Sequence, residues 1–157
     1  MTFSRRSALV SLAATVATLG LRPAFAEAAL TPIRVAKDPN CGCCGAWVEI
    51  LENEGFAATI EEMEAGLLQD HKLASGIPAE MGSCHTAHVE GYVIEGHVPP
   101  ADIRRLLAER PDAVGLAVPG MPWGSPGMGP ETEREAYEVH LIRRDGTTEV
   151  FTSYAAA

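Results

Sequence analysis

Three cysteines stand within four residues at Cys41-Gly42-Cys43-Cys44, and the fourth lies in Ser83-Cys84-His85-Thr86-Ala87-His88. A thiolate is both the nucleophile of disulfide exchange and the soft ligand that selects Cu(I), zinc or iron–sulfur clusters. Buried structural cysteines have no reason to cluster in sequence, so the first run points to metal or redox chemistry. At i and i+3, Cys41 and Cys44 share one face of a helix start, where unpaired amides and the macrodipole favour thiolate. In a regular helix Cys43 faces elsewhere, but Gly42 leaves the backbone free to turn it inward. A mononuclear tetrahedral site rarely draws three ligands from so short a run, whereas thiolates bridging a polynuclear Cu(I) cluster tolerate that crowding. Structural zinc wants two separated ligand pairs, and the second pair is missing here.

Two histidines flank Cys84. In a strand, Cys84 and His88 share a face and His85 points to the other, unless the strand begins after His85. The ligand set read from these residues is therefore Cys41, Cys43, Cys44 and Cys84 with His85 and His88. His97, ahead of Val98-Pro99-Pro100, is left outside it, and His71 and His140 read as structural or solvent-facing. Met121 in Pro119-Gly120-Met121-Pro122 and Met128 in Ser125-Pro126-Gly127-Met128 lie on a loop otherwise poor in apolar residues. Gap-filling is the usual work of methionine, but a thioether also binds Cu(I) where thiols titrate or oxidise. Met121 and Met128 complete the candidate ligands, while Met63 and Met81 read as packing residues. Trp123 reads as a lid or a partly buried aromatic.

The elements that would position these groups follow from periodicity and turn residues. Ile33 to Lys37 alternates like a half-buried strand, and Asp38-Pro39-Asn40 turns into a helix from about Cys43 to a stop at Gly55. Phe56 to Met63 reads as a strand, and Leu67 to Ala74 as a helix ended by Gly76. Thr86–Val89 and Tyr92–Glu95 form a hairpin about Glu90-Gly91. Pro99 or Pro100 opens a helix with Ile103, Leu106 and Leu107 on one face, ending at Arg110-Pro111. This β-α-β-α-β-β-α order, with Cys41 and Cys44 between the first strand and first helix, predicts a thioredoxin-like α/β fold. Gly115 to Pro130 is expected to be a Met/Gly/Pro loop, and Tyr137–Ile142 with Thr147–Phe151 a C-terminal β-hairpin about Asp145-Gly146.

Residues 1–26 read as an export signal: Arg5 and Arg6, an apolar stretch from Ala8 to Leu21, and a small-x-small cleavage site at Ala24-Phe25-Ala26. The stretch is too short and too rich in small residues for a membrane span. Ser4-Arg5-Arg6 with Leu9 resembles a twin-arginine signal, although Ala8 stands where a bulky residue is usual, and general secretion is the alternative. Residues 27–157 form one domain. Three of the twelve basic residues and none of the twenty-one acids lie in the signal, so the formal charge of −9 becomes −12 after cleavage. That charge opposes nucleic acid and anionic membrane surfaces as partners. An oxidising compartment makes structural disulfides the default. The adjacent Cys43 and Cys44 oppose it, since at most one of the clustered thiols can pair with Cys84.

Four motifs in order carry a family resemblance: Cys41-Gly42-Cys43-Cys44-Gly45-x-Trp47; Ser83-Cys84-His85-Thr86-Ala87; Gly91-Tyr92-Val93-Ile94-Glu95-Gly96-His97-Val98-Pro99; and Pro119-Gly120-Met121-Pro122 with Gly124-Ser125-Pro126-Gly127-Met128. Over about residues 33 to 152 the chain resembles the CopG-type periplasmic copper-resistance proteins, long catalogued as a domain of unknown function. The resemblance implies a thioredoxin-like domain holding several copper ions through its four cysteines, with histidine and methionine completing the shell and an oxidoreductase role in copper handling. The expectation is a periplasmic Cu(I)-binding protein for copper resistance, with another periplasmic copper or redox protein as partner. Its rivals are a metal-free thiol–disulfide oxidoreductase, with Cys41 and Cys44 catalytic, and a passive copper chaperone.

Overall fold

The computed structural model describes residues 29–157, and the export signal read at 1–26 lies outside them. Strand β1 (Thr31–Lys37) turns Ile33 and Val35 to one side and leads through Asp38 into helix α1 (Gly42–Asn53). Cys44, Trp47, Val48 and Leu51 repeat at helical spacing, so α1 buries a single stripe. Gly55, at φ 85°, reverses the chain into β2 (Phe56–Glu62), which lies parallel to β1. Helix α2 (Ala65–Ala74) follows, then β3 (His85–Val89) and β4 (Tyr92–Glu95). Glu90 and Gly91 both take positive φ, which the twist of a two-residue hairpin demands. Helix α3 (Pro100–Glu109) starts on a proline and ends at Arg110. β5 (Gly115–Ala117), β6 (Tyr137–Ile142) and β7 (Thr148–Tyr154) complete the chain.

The result is a mixed α/β fold with one seven-stranded sheet in the order β2-β1-β3-β4-β5-β6-β7. β1–β2 and β4–β5 are parallel pairs, and the other neighbours are antiparallel. Strand alternation divides the sheet into two faces. Ile33, Val35, Ala87, Ile94, Leu116, Val139 and Leu141 meet Trp47, Leu51, Ile103 and Leu106, so α1 and α3 cover the first face. The second carries Thr86, Val93, Glu95 and Ala117, and receives α2 and Ile77. Among the described residues, no helix is long and apolar enough to cross a membrane.

The segment expected to be loop from Gly115 onward begins instead as strand β5. Three fully buried residues leave no alternation to read, yet Leu116 and Ala117 continue the two faces beside β4. The last strand also runs past Phe151 to Tyr154, because α3 reaches it. Asp102, buried on α3, accepts hydrogen bonds from Thr152 Oγ1 at 2.6 Å and Tyr154 Oη at 2.7 Å. These bonds tie the C-terminal hairpin to the helix. Asp102→Ala is expected to lower the unfolding free energy by about 1–3 kcal/mol by stranding two hydroxyl donors. Urea unfolding measures it; a loss well below that range would show the hairpin to be docked by apolar contact alone.

Candidate metal centre

All four cysteines meet at one end of the sheet. Cys41 is the N-cap of α1, Cys43 and Cys44 occupy its first turn, and Cys84 immediately precedes β3. The register Lys37↔His85 sets the end of β1 beside the start of β3, which brings Cys84 up to the helix N-terminus. The four sulfurs lie within 4.8 Å of one another. Two metal–sulfur bonds of about 2.3 Å each nearly span that distance. Cys41 and Cys44 form a disulfide with Cα atoms 5.4 Å apart, while Cys43 and Cys84 are free. Cys43 Sγ is 3.5 Å from Cys41 Sγ. One helix start thus holds a disulfide and a thiol, with a second thiol facing them.

Cys84 also belongs to a second group. Its Sγ is 3.2 Å from His85 Nδ1 and 3.0 Å from His97 Nε2. His97 donates its Nδ1–H to Pro126 O at 2.8 Å, which fixes the tautomer and leaves Nε2 with its lone pair toward Cys84. His85 is fully buried against the Trp47 ring, with centroids 4.3 Å apart, and its Nε2 has no hydrogen-bond partner among the described residues. Burial, then the neighbouring His97 and Lys72, hold His85 well below the usual imidazole range, and burial lowers His97 too. Both rings are therefore neutral near pH 7, the form that binds metals. Burial and the adjacent Cys43 push the Cys84 thiol up to about 12. A soft ion bound there must displace the thiol proton. Neutral imidazoles and clustered sulfurs fit a soft metal.

A model described as a protein of unknown function, DUF411, matches residues 81–128, a stretch that contains Cys84, His97 and both loop methionines. No curated protein matches the chain. Two solved structures of a copper resistance protein, CopG, are each 46% identical to it. Form 1 superposes with a TM-score of 0.75, covering 81% of this chain and 99% of that one. For form 2 the TM-score is 0.73, with 80% and 98% covered. The chain belongs to the CopG copper-resistance family.

In this family member, β3 starts at His85 rather than after it, so Cys84 lies outside the strand and strand alternation does not govern it. His85 therefore turns to the cysteines, and His88, three residues on, turns to the opposite face beside His71. The structure does not bring His88 to the sulfurs. It brings His97 instead, which was not in the sequence-based ligand set. The signal for His97 is Gly96: at φ 71° it bends the chain off β4 so that the next side chain faces the site. Met121 is 56% exposed and Met128 half-buried on the same loop. That loop lies on α1, since a Cβ on Gly127 would come within 2.8 Å of Trp47 N and 2.9 Å of Cys43 O.

A buried carboxylate supports the centre from behind. Glu95 accepts from Lys72 Nζ at 2.7 Å, Ser83 N at 2.7 Å and Thr86 Oγ1 at 2.6 Å, and it has no exposed surface. Ser83 Oγ in turn donates to Gly120 O. One side chain therefore positions the Cys84 turn and, through Ser83, the methionine loop. Lys72→Met is expected to destabilise the fold by about 3–5 kcal/mol, because it strands a buried charge. Lys72→Met with Glu95→Gln should recover part of that loss. Chemical denaturation of the two proteins tests it: equal stability of the double and single variants would mean that the ion pair is not coupled.

Proposed function

We propose that this chain is an exported copper-binding protein of copper resistance that holds Cu(I) in a thiolate cluster at the N-terminus of α1. The observation that carries the reading is the meeting of four sulfurs and two neutral imidazoles within bridging distance, with Cys84 common to both groups. Soft sulfur with imidazole selects Cu(I) over harder ions, and the absence of two separated ligand pairs disfavours structural zinc. Cys41, Cys43, Cys44 and Cys84 would hold more than one ion, His85 and His97 would complete the shell, and Met121 and Met128 stand on the loop above α1. The description of CopG, solved in two forms, as a copper resistance protein supports the same reading.

A thioredoxin-like core supports a redox component. The four strands β2-β1-β3-β4, the first pair parallel and the rest antiparallel, precede α3 and place a C-x-x-C pair after β1. The Cys41–Cys44 disulfide favours a second reading, a thiol–disulfide oxidoreductase in which this pair exchanges two electrons and two protons with a dithiol partner. Both readings place the protein in the periplasm, delivered by the signal read at 1–26, and the first needs the pair reduced before copper enters.

Cys43→Ser separates the two. It keeps the Cys41/Cys44 pair but removes a bridging thiolate, so bound Cu(I) and protection of cells against copper should fall sharply while disulfide reduction persists. Competition with a Cu(I) chelator measures the first, and a cell-survival assay the second. Full copper content in the variant, with normal protection, would leave the metal-free oxidoreductase as the better account. Met121→Leu with Met128→Leu should weaken copper retention more mildly.

The raised Cys84 thiol gives a pH test. Below its pKa the thiol stays protonated, so each thiol proton displaced by Cu(I) makes the apparent affinity rise about tenfold per pH unit. Cys84→Ser should reduce that slope. An affinity independent of pH between about 6 and 8 would show that Cu(I) does not bind at Cys84.

A further inference from the structure

On the face of β3 opposite the cysteines, two imidazoles meet edge to edge. His88 Nε2 is 3.2 Å from His71 Nε2, in the last turn of α2, and 3.4 Å from Ser75 Oγ one turn further on. The ring centroids are 5.2 Å apart at 74°. Both side chains are half-buried, and among the described residues their hydrogen bonding is confined to each other and Ser75. We propose that His71 and His88 form a second metal site, separate from the cysteine centre, which binds Cu(II) through their Nε2 atoms and leaves its remaining positions to water.

The geometry argues for an ion between the rings. An ion about 2.05 Å from each nitrogen, with the nitrogens 3.2 Å apart, subtends about 100°. That lies between the cis angle of a square-planar site and the tetrahedral angle, so the nitrogen spacing suits a shared ion once the rings turn their lone pairs toward it. Imidazole suits divalent first-row ions, and among them Cu(II) binds an open nitrogen–oxygen site most tightly. Burial, then His71 and Arg34, lower the His88 pKa, which keeps its nitrogen lone pair available at neutral pH. Arg34 sits opposite His88 in the β1–β3 register, a cationic neighbour that would oppose a metal ion. It is paired with Glu61 at 3.4 Å, and the carboxylate offsets that charge. A neutral Nε2–H···Nε2 hydrogen bond accounts for the same spacing without metal, and the experiment must separate the two.

The test uses the full mature chain with its Cys41–Cys44 disulfide intact and with Cys43→Ser and Cys84→Ser, so that no free thiol can bind or reduce the probe. Titration with copper(II) sulfate, followed by electron paramagnetic resonance and calorimetry, should show one tight Cu(II) per chain with coupling to two nitrogens. His88→Ala and His71→Gln should each abolish that ion, whereas His97→Ala should leave it. Near-ultraviolet circular dichroism checks the fold of each variant, and His71 and His88 are replaced separately so that one folded variant suffices. Retention of the Cu(II) signal in a folded His71 or His88 variant, its loss only with His97→Ala, or the absence of any bound Cu(II), would each overturn the proposal. This result does not depend on Cu(I) binding at the cysteines, which the thiol-free protein lacks.

Discussion

Glu95 is a carboxylate with no exposed surface, and three donors from three parts of the chain converge on it: Lys72 from α2, Thr86 from β3 and the amide of Ser83. An ionised group in that position is tolerated only while every partner is in place, since an unpaired buried charge costs several kcal/mol. The Ser83 amide is therefore held, and with it the turn that carries Cys84. Ser83 extends the constraint to Gly120 through its hydroxyl, so the loop bearing Met121 is anchored by the same carboxylate. The network defines one placement of Cys84 relative to α1, which an apolar replacement would permit but not specify.

The site depends equally on where strand order ends. β1 delivers the chain to the N-terminus of α1, β3 starts beside it, and β4 leaves through Gly96 to bring His97 from the other side. Three connections thus meet at one end of the sheet, as ligand sites in open α/β folds commonly do. Trp47 closes the floor: it donates Nε1–H to Val98 O at 2.9 Å while its ring packs on His85. Core packing and ligand orientation are the same contact here. His85 is buried as an apolar residue would be, and its unsatisfied Nε2 records the cost of placing an imidazole there.

Much of this was legible in the sequence where a local rule applied. The helical stripe of α1, the positive-φ pair Glu90-Gly91 and the proline at the start of α3 are short-range signals, and the elements follow them. The cysteine cluster was legible because C-x-C-C after a strand has few physical meanings. β5 was not, since three buried residues carry no period. The assignment of His85 and His88 turned on whether Cys84 belongs to β3: inside the strand it would share a face with His88, but it precedes the strand and sits beside His85. Glu95 gave no sign of burial: a glutamate at a strand end reads as solvated, and its lysine partner lies 23 residues away on a weakly amphipathic helix. His97 required the bend at Gly96, which is a tertiary property.

The disulfide and the proposed copper cluster compete for the same two sulfur atoms. Cys41 and Cys44 cannot be joined and serve as thiolate ligands at once, so each state excludes the other. By linkage, whatever stabilises the reduced, metal-bound form must make the disulfide easier to reduce by the same free energy. Cys43 and Cys84 stand outside that competition, being free in the oxidised form. In the proposed cluster they would hold an ion weakly while the pair is oxidised and strongly once it is reduced. Two thiols always available and two that switch, within 4.8 Å of one another, would make the copper affinity of the proposed cluster a function of redox state through sulfur chemistry.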